Sequence, residues 1–323
     1  MSCIVVIETE GEEGAEVSEA SLETLAFSRG FGEQIEALVI GSAAPLTDRL
    51  GEFGVHTVHE ASGAAFQAYA PAAWASAAIA AVEASGASVL LAPGTPRGNE
   101  LMAHVAARQN VLMAANAVEI DQVQPLRVSR QVFGGTALEV MELSEGLGAV
   151  TMAGHACSPT PAEAKTTPEV SALQVDVSEA DLVVKVARTE EGAPDESGNL
   201  KSAKVVIGAG RGVGSSDGFN ELLEMTDLLG ASLGVSRVVT SLGWRPHHEQ
   251  VGQTGSRISP DLYVPCGISG AIQHWAGCSS AKTILAINSD PDAPMVTRAH
   301  YAVIGDLHEI VPAINEEIRA RQG

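Results

Sequence analysis

Leu262-Tyr-Val264, Gly267-Ile-Ser-Gly-Ala-Ile-Gln-His274 and Thr283-Ile-Leu-Ala-Ile-Asn288 decide the fold. They read in order as an apolar strand, a turn bracketed by Gly267 and Gly270 leading into a helix over Ser269 to Ala276, and a second apolar strand. Continuously hydrophobic strands linked through helices belong to a parallel sheet covered on both faces. At such a strand-to-helix junction the free backbone N–H groups and the helix dipole attract an anion, and a pyrophosphate fits there. On a helix of that span Gln273 shares a face with Ser269, and His274 with Gly270, so both long polar side chains would run along the ligand. A lone histidine on such a helix is usually a structural group.

Upstream, Gln250-Val-Gly-Gln-Thr-Gly255 holds Gln253 and Thr254 between two glycines, on a loop tight enough to present an amide and a hydroxyl to a planar heteroatom ligand. Before it, Ser236-Arg237 leads into a strand expected over Val238 to Ser241; Arg237 alone also reads as a surface or capping residue. His247 and His248, adjacent on a Pro-containing loop, face different ways and read as exposed polar groups rather than a metal pair. The strand Lys204 to Ile207 runs into Gly208-Ala-Gly-Arg-Gly-Val-Gly214, whose spacing is not a nicotinamide fingerprint because the third position falls on Val213 or Ser215. What remains is a turn open to close backbone approach, with Arg211 as a candidate phosphate partner. Downstream, Asn288 ends a strand, and Asp306 follows the run Ala302 to Ile304; strand-end Asn and Asp commonly meet ribose or adenine edges in open α/β sheets. A helix is expected over Phe219 to Leu229. Another, over Leu307 to Arg321, sets Ile310, Val311, Ile314 and Ile318 on one face, to pack on this domain or a partner.

The first half alternates in the same way. Ile4 to Ile7, Ala37 to Ile40, Thr57 to Val58 and Val89 to Ala92 read as strands, and Ser18 to Phe27, Ala72 to Ala84 and Asn99 to Gln109 as helices. Leu126 to Phe133 and Ala137 to Leu143, joined at Gly134-Gly135, read as a hairpin, so that sheet should be mixed. From Arg188 to Ser202 the chain turns polar and acidic without a core-forming period, which marks a connection between domains. The expected organisation is an N-terminal, mostly parallel α/β domain over 1–189, a linker over 190–202, and a Rossmann-like α/β domain over 203–323.

Composition narrows the function. With 323 residues and 45% hydrophobic content the chain is long enough for two cores, and a formal net charge of -21 opposes nucleic-acid binding, which draws on clustered Lys and Arg. The same surface resists anionic membranes and would steer a basic protein partner toward itself. No run is apolar enough to insert in a bilayer, and Met1-Ser-Cys-Ile-Val-Val-Ile-Glu8 shows no export or transit pattern, so the chain reads as cytoplasmic. Cys3, Cys157, Cys266 and Cys278 have no zinc-type spacing and read as reduced structural thiols.

Val251-Gly-Gln-Thr-Gly255, Asp261-Leu-Tyr263, Gly267 to Gly277, Lys282-Thr283, Ala286-Ile-Asn288 and Asp290-Pro-Asp-Ala-Pro294 together resemble the signature of the electron transfer flavoprotein alpha subunit. The resemblance extends upstream through Gly210-Arg-Gly212 and Ser236-Arg237 and downstream to Asp306-Leu307; in the N-terminal half it is one of layout, with a local echo at Ala92 to Ala107. Pro265-Cys266, Trp275 and Cys278 depart from the common pattern without removing a ligand.

The resemblance implies an electron carrier rather than an enzyme: a heterodimer with an electron transfer flavoprotein beta subunit, holding FAD largely in the C-terminal domain of this chain. It implies that Arg211, Ser269, Gly270, Ala271 and Ile272 surround the pyrophosphate, and that Gln273, Asn288, Asp306 and Leu307 approach the ribityl, ribose and adenine parts. Ser236, Arg237, Val251, Gly252, Gln253, Thr254 and His274 would line the isoalloxazine. A cation at Arg237 and a donor at His274 would stabilise negative charge on the reduced ring and favour an anionic semiquinone, while the Thr254 hydroxyl would fix the ring edge. Electrons would come from flavin dehydrogenases such as acyl-CoA dehydrogenases, in fatty-acid beta-oxidation, and leave to a membrane quinone oxidoreductase. The beta subunit would hold AMP or a second FAD. An alternative is an electron-bifurcating complex that oxidises NADH, with the second flavin in the beta subunit; a nucleotide-binding module without redox work is the blander third reading.

Overall fold

The computed structural model describes residues 2–11, 14–32, 34–133, 137–143, 146–188, 200 and 203–322. They form two compact units, one ending at 188 and one running from 203, with Leu200 belonging to the second. The expected linker otherwise lies outside the described residues. Leu200 departs from the exposed-linker expectation, because it is buried in the second unit's core with Val206, Val251 and Tyr263.

In the first unit the strands are β1 (Cys3–Ile7), β2 (Thr9–Glu10), β3 (Glu16–Val17), β4 (Ile35–Ile40), β5 (Val55–Ala61), β6 (Val89–Pro93), β7 (Met113–Gln122), β8 (Leu126–Val132), β9 (Ala137–Leu143), β10 (Gly148–Met152) and β11 (Glu169–Ala172). Nine of them form one sheet in the order β11-β5-β4-β1-β6-β10-β7-β8-β9. From β11 to β7 the neighbours are parallel, and β8 and β9 add antiparallel strands, as the two extended runs predict; the join expected at Gly134-Gly135 lies outside the described residues. The helices α1 (Glu19–Ser28), α2 (Thr47–Glu52), α3 (Pro71–Ser85) and α4 (Pro96–Gln109) cover it. Their ends follow local chemistry: Ser18 and Thr95 accept from the backbone N–H groups of Ser21 and Gly98, and α3 stops at Gly86 in the left-handed region. Ala75, Ala77, Ala78 and Ala81 are fully buried on α3, and such small side chains let the helix lie close to its neighbours.

The second unit is a sheet of β12 (Val205–Ala209), β13 (Ser232–Val235), β14 (Leu262–Cys266), β15 (Thr283–Asn288) and β16 (Tyr301–Ile304), ordered β13-β12-β14-β15-β16 and parallel throughout. In chain order this is 2-1-3-4-5, a doubly wound arrangement whose switch point falls between β12 and β14. The helices are α5 (Asn220–Leu229), α6 (Arg237–Ser241), α7 (Ile272–Cys278), α8 (Pro294–Thr297) and α9 (Leu307–Gln322). On α9, Val311 is buried and Ile310 and Ile314 join the core, while Asn315 donates to the Glu221 carbonyl of α5, so this helix packs on its own unit.

Two expectations are corrected here. Val238 to Ser241 is helical, not a strand. The β-branched pair Val238-Val239 suggested extension, but the strand β13 has already been completed upstream and Ser236 turns the chain into α6. The helix expected over Ser269 to Ala276 begins only at Ile272, because Gly270 adopts a positive φ of 79° that ends any helical path through it. The face-sharing of Ser269 with Gln273 and of Gly270 with His274 therefore does not arise.

Candidate functional site

A cavity of about 680 Å³ opens along the carboxyl ends of the second sheet. After β12 it is lined by Arg211 and Gly212, and after β13 by Ser236, Arg237, Val238 and Ser241. After β14 come Gly267, Ile268, Ser269, Gly270, Ala271, Gln273 and His274, and after β15 come Asn288, Asp290 and Ala293. The loop Gln250 to Thr254 closes the remaining wall. Of the residues singled out in the sequence, Ile272, Asp306 and Leu307 do not line it. Ile272 is 52% exposed on α7, Asp306 caps α9 by accepting from the His308 N–H, and Leu307 is buried beneath the glycine turns. His247 and His248 are exposed and stand outside the lining.

The glycines open this space in ways the residue pattern only partly shows. A Cβ on Gly210 would lie 2.2 Å from the Gly267 carbonyl oxygen, and one on Gly267, where φ is 61°, would lie 2.7 Å from the Gly212 Cα. The glycine run after β12 thus serves chiefly to let two turns pack backbone to backbone. On the far side, a Cβ on Gly277 would come within 2.4 Å of Gly252, so that pair seats α7 against the loop from Gln250. In the turn itself the N–H groups of Ser269, Gly270 and Ala271 have no backbone acceptor among the described residues. With Arg211 across the switch point they form a donor-rich concavity suited to a pyrophosphate.

The other walls carry directed polar groups. Thr254 Oγ accepts from Gln250 Nε2 at 3.0 Å, and Gln250 Oε1 accepts from Thr240 at 2.8 Å. Gln250 is buried at 2% exposure, so it holds Thr254 with its remaining O–H available for a ligand edge. The sequence pattern assigns Gln250 no role; the signal for one is its place four residues before the Thr254 hydroxyl. Ser236 Oγ is buried without a protein partner at the cavity wall. Asn288 Nδ2 donates to the Ile268 carbonyl and its Oδ1 accepts from the Asp290 N–H, which pins the turn to the end of β15.

His274 lines the cavity as a neutral ring rather than a cation. It is buried, its Nε2 lies 2.8 Å from the Tyr263 hydroxyl, and burial pushes its pKa down to about 4, against a smaller upward pull from the Val251 backbone. The ring is therefore neutral at pH 7, and the positive charge along the cavity comes from Arg211 and Arg237, both exposed.

A parallel sheet of this order with a glycine cradle, unpaired N–H groups and an orphaned hydroxyl at its switch point defines a nucleotide-cofactor protein. Residues 199–279 match the family model "Electron transfer flavoprotein FAD-binding domain", and residues 4–178 match "Electron transfer flavoprotein domain". The electron transfer flavoprotein subunit alpha of Mycobacterium leprae is 33% identical over 317 residues, covering 97% of this chain and 98% of that protein. That of Pseudomonas aeruginosa is 32% identical over 320 residues, covering 98% and 100%, and that of Bacillus subtilis 29% over 310, covering 94% of each. The chain belongs to the electron transfer flavoprotein alpha subunit family, and its cofactor is FAD. Among the described residues no helix is long and apolar enough to cross a membrane.

Proposed function

We propose that this chain is the FAD-holding half of a heterodimer with a beta subunit, and that it carries electrons from flavin dehydrogenases, acyl-CoA dehydrogenases among them, to a membrane quinone oxidoreductase. The observation that carries this reading is the make-up of the cavity. Its walls are turn backbone, hydroxyls, side-chain amides, two guanidinium groups and one carboxylate, Asp290, and its lining imidazole is neutral and paired with Tyr263. Such walls, rich in backbone and side-chain donors with two cations, suit an anionic nucleotide cofactor and orient and polarise its ring.

FAD, when bound, supplies the redox-active ring. The chain's own residues divide the remaining work. The Ser269 to Ala271 backbone and Arg211 hold the pyrophosphate; Gln273 and Asn288 approach the sugar portion. Thr254, backed by Gln250, and Ser236 offer hydroxyls to the ring edge, and Gly252 and Gln253 bring backbone against it. Ile272, Asp306 and Leu307 act from outside the cavity wall, Leu307 by supporting the turns from below.

Arg237, exposed at the mouth, favours negative charge on the reduced ring. An exposed charge pair contributes about 0.2–1 kcal/mol, so Arg237→Ala should lower the midpoint potential of the FAD-loaded heterodimer by a corresponding amount. Stepwise anaerobic reduction followed in the visible spectrum reads this; an unchanged potential removes Arg237 from the role. The same preparation reports stoichiometry, and two flavins with NADH oxidation would point to bifurcation instead.

A further inference from the structure

We propose that Tyr263 is a positioning residue that holds His274 at the cavity wall as a neutral imidazole with its proton on Nδ1. The proposal deepens the FAD-site reading, but its geometry stands on protein atoms alone. Tyr263 sits on β14, fully buried, and its hydroxyl lies 2.8 Å from His274 Nε2, with the rings stacked at 24° and centroids 6.2 Å apart. A buried phenol must donate its hydrogen, and His274 Nε2 is the acceptor the structure supplies for it. If Nε2 carried the proton instead, it would point at the Tyr263 oxygen and the buried Tyr263 O–H would be left without an acceptor. With Nε2 accepting, the hydrogen falls to Nδ1, which is buried without a partner among the described residues and so is left for whatever occupies the cavity that His274 lines.

The surroundings reinforce this assignment. Burial holds the Tyr263 phenol protonated, and it pushes Cys266 and Cys278 up to about 12, so the thiols near the phenol carry no charge that could draw a proton onto Nε2. Gly208 makes the arrangement possible: a Cβ there would stand 2.5 Å from the Tyr263 hydroxyl oxygen. The sequence offered Gly208 as part of a ligand-approaching turn; the structure uses it to admit a tyrosine. A path thus runs from Gly208 through Tyr263 and His274 to Val251, in the loop that carries Thr254.

The test is the side-chain 15N spectrum of the histidine-labelled full-length chain assembled with its beta subunit. The expected wild-type result is a pyridine-type Nε2 and a pyrrole-type Nδ1 for His274, unchanged between pH 5.5 and pH 8. Tyr263→Phe, which keeps the ring in the core, should lower the ratio of the Nδ1–H to the Nε2–H tautomer at least tenfold, and Gly208→Ala should act in the same direction with the hydroxyl still present. A wild-type spectrum with the proton on Nε2 overturns the proposal without any variant having to fold, and so does an unchanged tautomer in a folded Tyr263→Phe. FAD content is counted on the same samples. The expected tautomer in a preparation that takes up no FAD supports the role of Tyr263 and counts against the cofactor reading alone.

Discussion

Gly270→Ala is expected to destabilise the second unit by about 2–4 kcal/mol and to weaken FAD retention at least tenfold. Gly270 has a φ of 79°, where an L side chain is strained, and its Cβ would stand 2.4 Å from the Met295 nitrogen and 2.7 Å from the Met295 Cα. Backbone cannot rotate out of the way as a side chain can. Moving Met295 breaks the hydrogen bond its N–H donates to the Ser269 carbonyl, and with it the turn whose free N–H groups face the cavity. Amide exchange in β14 and β15 reads the stability, and flavin remaining after gel filtration reads the retention. A variant that keeps both shows that the turn is neither rigid nor required.

Acid should weaken the second unit through His274. Burial holds its folded pKa near 4 against an ordinary 6.5, so between those values the unfolded chain binds a proton that the folded chain refuses. Stability from this group is therefore complete above about 6.5 and lost as pH falls through that window. At roughly 1.36 kcal/mol per pH unit the interval from 6.5 to about 4 amounts to about 3 kcal/mol. His274→Gln cannot titrate, so its exchange protection should be flatter than the wild type's between pH 7 and pH 4 by that amount. Parallel pH profiles for the two proteins would mean that His274 is already protonated or already solvated in the fold.

Much of this was legible because glycine and strand signals are local. The antiparallel pairing of β8 with β9, the alternation of β4, β5 and β6 with helices, and the turn at Gly267 to Gly270 each follow from residues within a few positions of one another. The failures share a different cause. Val238-Val239 has strand chemistry, yet the register of the sheet had already been satisfied by Ser232–Val235, and no local pattern reports that. Tyr263 reads as one more apolar position of a buried strand, since its tie to His274 depends on β14 and α7 meeting in space. Gln250 reads in the sequence as a polar residue but not as the support of Thr254, and the sequence does not show that Leu307 packs against Gly212 and Gly267 rather than lining the cavity. Whatever depends on one strand end facing another appears only in the fold.

The most direct measurement on the central claim is the cofactor count of the chain purified with its beta subunit and extracted under denaturing conditions. The cavity at the switch point of β12 and β14 predicts FAD in a one-to-one ratio with this chain, released by Gly270→Ala. A colourless preparation that cannot be reconstituted with FAD would contradict it.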